Sequence, residues 1–183
     1  MATSVGLAVY FAERNFGAFH NLWMTFSSRP KYQELKGVTL AQKLSALDTD
    51  GWNNNTNLEA ALRLVLDTAT RNHIPQEEIP KALIIISDME IDACSRDDAD
   101  FYSIMRDEYA KNGYEIPNII FWNVNSRHDV FHADSKRLGV QLVSGSSAST
   151  FRNVIDCLNM TPVEAMEKTI NSERYACIRV DEA

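Results

Sequence analysis

Apolar residues recur at helical spacing along much of the chain, and the clearest such pattern begins at Leu58. Its apolar positions lie three or four residues apart: Leu58, Ala61, Leu62, Val65, Leu66 and Ala69. This spacing predicts an amphipathic helix that buries one face. Similar spacing, together with residues that begin or end helices, predicts a heavily buried helix at 3–15 and further helices at 39–48, 101–113, 147–157 and from 161 onward.

Short apolar runs alternate with these helices. Residues 82–86 are all apolar, and residues 118–124 are mostly so. A run without polar alternation is typical of a strand covered on both faces, so we expect both strands to lie inside a parallel sheet. Other short runs predict strands at 22–26, 32–38, 140–143 and 175–180.

The order of these elements predicts the fold class. Strands that alternate with helices form βαβ units, which give a mostly parallel sheet with helices on both faces, a Rossmann-like α/β fold. The 183 residues are 45% hydrophobic and 23% charged, which suits one domain spanning 1–183.

Charge and cysteine content limit the binding partners and the cell compartment that we expect for the chain. A net charge of -7 disfavours direct binding to nucleic acid or anionic lipid. No apolar run approaches the roughly 20 residues that span a bilayer. Cys94, Cys157 and Cys177 are far apart and form no C-x-x-C pair, as in proteins of reducing compartments. We therefore expect a cytoplasmic protein that does not contact membranes.

Polar residues that follow the predicted strands are the first candidates for a functional site. In parallel sheets, functional groups gather at the carboxyl ends of strands, which directs attention to Ser27, Asp88 and Asn123. The polar loop 51–57 ends at a helix N-terminus near the same edge. Thr56 or Asn57 in this loop could instead simply cap the helix.

Two of these features together resemble the von Willebrand factor A-like domain and its metal-ion-dependent adhesion site. Thr56 opens the run T-N-L-E-A-A-L, similar to the T-x-L-x-x-A-L loop of that family, and Asp88 ends I-I-I-S-D, with Met89 in place of the usual glycine. The resemblance implies that Thr56 and Asp88 are metal ligands. Polar residues that could form a second shell around such a site are Ser27, Asn55, Ser87, Glu90 and Asp92. For Glu90 and Asp92 a solvent-facing loop is an equally good explanation.

The resemblance extends to a domain-of-unknown-function family, DUF2828-like, whose C-terminal half is A-like and related to Ro (TROVE) ribonucleoproteins. The similar stretches are 23–27, 75–81, 87–89, 119–123 and 143–145. These stretches are spread over most of the length of the chain, from residue 23 to residue 145. That family has no settled biochemical role, so the resemblance implies a fold more than an activity.

One part of the A-like pattern is missing. The sequence opens on the first helix, without the family's first strand or its D-x-S-x-S loop. A divalent cation takes about six oxygen ligands, which Thr56 and Asp88 cannot supply alone. We therefore expect Mg²⁺ or a similar cation in an intact parent protein and weak or no binding here. The simplest interpretation is a fragment, or a mis-started reading frame, of a longer protein.

The missing strand would lie at the centre of the sheet, between the strands at 22–26 and 82–86. A gap there leaves backbone groups unpaired, at a cost of about 1 to 3 kcal/mol for each buried group. Three arrangements could fill it. The segment 175–180 could insert, another chain could donate a strand through self-association, or the two flanking strands could pair directly.

Other polar clusters have ordinary explanations. His128 and His132 are four residues apart but lack an evident third ligand, so a solvated loop explains them as well as a metal site does. Asp97, Asp98 and Asp100 stand at a predicted helix start, where carboxylates are favourable. No nucleophile-elbow, P-loop, dinucleotide-binding or H-E-x-x-H motif occurs.

These observations favour a non-catalytic protein-interaction module that captures a partner carboxylate through a cation. An alternative is the scaffold half of a Ro-like ribonucleoprotein. A metal-dependent phosphohydrolase built on Asp88 is less favoured, because Asp88-Met89-Glu90 lacks the D-x-D-x-T/V pattern.

Overall fold

The computed structural model describes residues 2–25, 27, 29–47, 57–87, 98–124, 140–145, 147–156 and 160–178. Within these ranges the predicted α/β fold is confirmed. The helices are α1 (Ala2–Arg14), α2 (Leu40–Ser45), α3 (Leu58–Arg71), α4 (Asp98–Lys111), α5 (Ala148–Asp156) and α6 (Pro162–Ile170). The strands are β1 (Leu22–Met24), β2 (Tyr32–Glu34), β3 (Ala82–Ser87), β4 (Asn118–Asn123) and β5 (Val140–Ser144).

The strands form two separate sheets in the described part of the chain. β3, β4 and β5 make a parallel sheet in that order, and β1 and β2 make an antiparallel hairpin. β4 lies between two neighbours and is buried along nearly its whole length. Among the described strands β3 is at the edge of its sheet, so within this part of the chain the prediction that both strands lie inside the sheet holds for β4 and is wrong for β3.

Two of the arrangements considered for the central gap are wrong. β1 and β3 belong to different sheets, so the strands that flank the gap do not pair directly. The predicted strand at 175–180 is replaced, as far as Ile178, by the short 3-10 helix Glu173–Tyr175 and a turn. Tyr175 and Ile178 are exposed there, and local turn hydrogen bonds take up their backbone N–H groups.

Helix α1 covers one face of both sheets. Its Val9 and Ala12 pack in a cluster with Trp23 of β1. Its Leu7 and Phe11 pack in another cluster, which contains apolar residues of β3, β4 and α5. Among the described side chains of α1, only Val9 and Ala12 are fully buried. The heavy burial expected for this helix is therefore only partial.

Helix α3 covers the opposite face of both sheets. Leu62 and Leu66 pack in a cluster with Ile85 of β3, and Val65 and Ala69 pack in a cluster that includes β1. All six apolar positions that the spacing singled out are buried. The two sheets are therefore held side by side by α1 above and α3 below.

Capping signals predicted the starts of α2 and α6 well, whereas apolar spacing predicted the burial of α2 and α4 only in part. Thr39 and Gln42 form a capping box at the start of α2, and Thr161 and Glu164 form one at the start of α6. The apolar face predicted for α2 is largely exposed, with Leu40 at 59%. In α4, Met105 and Tyr109 are buried as expected, whereas Ile104 is exposed.

An ion pair connects helix α2 to α1. Lys43 Nζ lies 2.7 Å from Glu13 Oε1. Hydrogen bonding to this ammonium lowers the pKa of the Glu13 carboxyl below its ordinary value. Leu47, just after α2, packs on the cluster that contains Val9 and Ala12 of α1, so both a polar and an apolar contact link this segment to α1.

No helix in the ranges described is both long enough and apolar enough to cross a membrane.

Burial predicts different effects for two leucine substitutions. Leu62→Ala removes a side chain that is 0% exposed, and we expect it to lower the free energy of unfolding by about 2 to 5 kcal/mol. The matched control Leu40→Ala removes a largely exposed side chain and should change stability by about 0.5 kcal/mol or less. Urea denaturation followed by circular dichroism measures both. Equal losses would contradict the packing described for α3.

Candidate functional site

The N-terminus of α3 points toward the carboxyl edge of the parallel sheet. The hydroxyl of Tyr114, just before β4, lies 3.1 Å from the carbonyl oxygen of Ala69 and 2.9 Å from that of Ile74. The C-terminal end of α3 is therefore at the amino edge of the sheet. A helix of 14 residues and a strand of 6 are both about 20 Å long, so Asn57 comes near the opposite edge.

Asn57 caps this helix end. Its side-chain Oδ1 accepts a hydrogen bond of 2.9 Å from the backbone N–H of Ala60. The capping interpretation considered for this loop is thus confirmed for Asn57. The remaining N–H groups of the first turn carry the positive end of the helix dipole, which favours a carboxylate or another anion beside it.

A row of polar residues ends the three parallel strands. Ser87 pairs in register with Asn123, and Asn123 pairs with Ser144. Asn123 is only 3% exposed, whereas Ser144 is exposed. Along β4 and β5 the alternating positions Phe121 and Leu142 pack toward α3, which places the row at the α3 face of the sheet.

Hydrogen bonds to Gly145 fix the end of β5 beside β4. The Gly145 N–H donates to the carbonyl oxygen of Asn123 at 2.9 Å, and the Trp122 Nε1–H donates to the carbonyl oxygen of Gly145 at 2.7 Å. Gly145 has φ +108°, a conformation that residues with a Cβ rarely adopt. These two hydrogen bonds and the conformation of Gly145 therefore fix the backbone at this edge.

The predicted site residues divide into two groups. Ser87 and Asn123 are in the row, whereas Ser27 is a buried residue of a bend that follows β1 and is not part of the parallel sheet. Thr56 directly precedes the cap residue Asn57 in the sequence, and Asp88 directly follows Ser87. The predictions for Asn55, Thr56, Asp88, Glu90 and Asp92 fall outside the described residues.

The described part of this edge is polar but uncharged. Across the described ranges, no three His, Cys, Asp or Glu side chains are grouped as a metal site. His128, His132 and Asp97 lie outside these ranges, while α4 begins at Asp98, as the acidic helix start predicted. Asn123 and Ser144 carry only neutral oxygen atoms, so among the described residues these two supply no anionic ligand.

The sequence interpretation did not single out Ser144 as a site residue. A signal for it was present, because each of the three parallel strands ends in one polar residue after an apolar one: Ser87, Asn123 and Ser144. Recognising the row required the register between the strands. Apolar spacing alone does not give that register.

The cap at α3 gives a test at this edge. Asn57→Ala removes the hydrogen bond to Ala60, and we expect it to lower the free energy of unfolding by about 1 kcal/mol. Asn57→Asp keeps an acceptor at the same position and adds a charge that the helix dipole favours, so its stability should equal or exceed that of the unchanged chain. Thermal denaturation compares the variants. A loss with Asn57→Asp as large as with Asn57→Ala would contradict the capping role.

Comparison with known proteins gives one family. A family model described as a domain of unknown function, DUF7788, matches residues 1–180. No curated protein and no solved structure matches the chain. The resemblance implied a domain of unknown function, and the matching description names neither the A-like domain nor the DUF2828-like family. Since the match covers almost the whole sequence, the chain belongs to the DUF7788 family.

Proposed function

We propose that this DUF7788 chain is a non-catalytic protein-interaction module of the von Willebrand factor A type. Its binding surface is the carboxyl edge of the parallel sheet, where Thr56 and Asp88 remain from a metal-ion-dependent adhesion site. The partner contributes a carboxylate that reaches a cation held at this edge.

The observation that carries the proposal is the meeting of two elements at one edge. The capped N-terminus of α3 and the row of Ser87, Asn123 and Ser144 lie at the same edge and face of the sheet. In the sequence, Thr56 is next to the first of these elements, and Asp88 is next to the second. This placement supports a joint role for a hydroxyl and a carboxylate that are 32 residues apart (88 − 56 = 32).

The residues fit a divalent cation only in part. Mg²⁺ prefers about six oxygen ligands and usually one or two carboxylates, with water completing the shell. Thr56 would supply a hydroxyl and Asp88 a carboxylate, while the described residues of the row offer only neutral oxygens. This donor set suits a weakly held cation that needs a further ligand from a partner.

The overall charge supports a partner that binds through a cation. With a net charge of -7, the chain repels an acidic partner at long range. A cation at the sheet edge would make the electrostatic potential positive there and would attract a carboxylate. The positive end of the α3 dipole acts in the same direction.

We expect the purified chain to bind Mg²⁺ with a Kd on the order of a millimolar or weaker, because its donor set is incomplete. Isothermal titration calorimetry of Mg²⁺ into the chain measures this affinity, with Asp88→Ala as the comparison. Tight binding that persists in Asp88→Ala would mean that the cation is held at another place.

Partner capture tests the proposed surface. The chain is immobilised and exposed to a lysate of its source cells, with Mg²⁺ well above its Kd, and recovered proteins are quantified by mass spectrometry. Asp88→Ala should lose the partners, as should addition of a chelator, because both remove the bridge to the partner carboxylate. Glu167→Ala removes the same charge from the exposed side of α6 and should keep them.

The proposal fails if Asp88→Ala recovers the same partners as the unchanged chain. It also fails if Asp88→Ala and Glu167→Ala lose them equally, since the effect would then follow net charge and not the sheet edge.

A further inference from the structure

The loop that leads into β3 touches both sheets. It covers residues 75–81 and contains the short 3-10 helix Gln76–Glu78. Because it directly precedes β3, it lies at the amino edge of the parallel sheet. Residues 75–81 resemble a stretch of the DUF2828-like family, and the proposed surface at the carboxyl edge does not use them. We call this loop the junction loop.

Hydrogen bonds fix the junction loop to the parallel sheet. Gln76 Oε1 accepts a bond of 2.9 Å from the backbone N–H of Glu115, in the segment before β4. At the other end of the loop, the carbonyl oxygen of Lys81 accepts a bond of 2.9 Å from the N–H of Asn118. The loop therefore keeps a fixed position relative to the starts of β3 and β4.

A carboxylate reaches from the junction loop to the hairpin side of the molecule. Glu78 Oε2 accepts a hydrogen bond of 2.8 Å from the backbone N–H of Ala18. Ala18 belongs to the short 3-10 helix Gly17–Phe19, which connects α1 to β1. The two residues are 60 positions apart in the sequence, so this bond joins distant parts of the chain.

Gly17 makes room for this carboxylate. Its φ is +65°, a conformation that residues with a Cβ rarely adopt. A Cβ at this position would lie 2.6 Å from Glu78 Oε2 and 2.9 Å from Glu78 Cγ, closer than non-bonded atoms normally approach. The glycine therefore lets the backbone come close enough for the next N–H, that of Ala18, to reach the carboxylate.

An apolar contact lies next to the polar one. Phe19 and Ile79, which directly follow the two hydrogen-bonded residues, are 2% and 4% exposed and belong to one buried cluster. Apolar packing of this kind holds the two segments together but has no preferred direction. The hydrogen bond from Ala18 to Glu78 adds the direction, because it requires a short distance and an aligned N–H.

We propose that Glu78 is a latch that holds the hairpin of β1 and β2 against the parallel sheet, and that its release lets the hairpin open while the parallel sheet stays folded. Within the described residues, no strand of one sheet pairs with a strand of the other. Regions without a shared hydrogen-bond ladder can open separately, each with its own free energy. This inference goes beyond the proposed function and does not depend on a metal ion.

Native-state hydrogen exchange of the whole chain tests the latch at single amides. Glu78→Ala removes the acceptor, and we expect exchange to become about tenfold faster at Ala18, because a hydrogen bond to a carboxylate is lost. Exchange at Leu35, whose N–H donates to the carbonyl oxygen of Asn21 within the hairpin, should become faster by a similar factor. The amides of β4 should keep their rates.

Two variants at the junction loop serve as controls. Glu77→Ala removes the same charge from the neighbouring exposed position and should leave exchange at Ala18 and Leu35 unchanged. Glu78→Gln keeps an oxygen acceptor without the charge, so its effect should lie between that of Glu78→Ala and no change. Glu78→Gln also replaces Glu78→Ala if the latter does not fold.

Gly17→Ala tests the close approach of the backbone to the carboxylate. The added Cβ should push the Glu78 side chain away from Ala18 and accelerate exchange at Ala18 and Leu35. In a chain that already carries Glu78→Ala, the same substitution should have a smaller effect. The clash is then absent, and only the positive φ of residue 17 remains unfavourable.

Three results would each overturn the proposal. The first is an equal effect of Glu78→Ala and Glu77→Ala at Ala18 and Leu35. The second is equal acceleration in the hairpin and in β4, because the two sheets would then open only together. The third is full additivity of Gly17→Ala and Glu78→Ala, because the glycine would then have no connection with the carboxylate.

Discussion

The structure depends on one constraint, which is that every buried backbone N–H and C=O needs a hydrogen-bond partner. β3 and β1 each satisfy one edge within their own sheet, through β4 and β2. Their other edges meet across an apolar cavity. Helices α1 and α3 nevertheless pack on both sheets as if these formed one layer, because their apolar faces are wide enough to cover both.

This constraint explains why β3 differs from β4, although their sequences look alike. Both are continuously apolar, which is typical of strands with neighbours on both edges. β4 has two such neighbours and is buried, whereas Ala82, Leu83, Ile84 and Ile86 are only half-buried. The composition of β3 therefore fits a central strand, although the structure places it at an edge.

Elements whose stability is local were predictable from the sequence. The buried face of α3 and the capping boxes of α2 and α6 follow from side chains within a few positions of one another. The exposure of Leu40 and Ile104 did not follow, because it depends on which elements lie opposite them. The prediction of a strand after α6 was wrong for a related reason. Apolar residues at 175–178 suit a strand only if a partner strand is within reach.

The candidate site, too, could be predicted from the sequence only in part. The rule that functional groups gather at the carboxyl ends of strands directed attention to Ser27, Asp88 and Asn123, because in a parallel sheet the position of a strand end follows from topology. The alignment of Ser87, Asn123 and Ser144 in one row needed the register of three strands, which no local pattern encodes. In the loop before α3, helix capping assigns a role to Asn57 only.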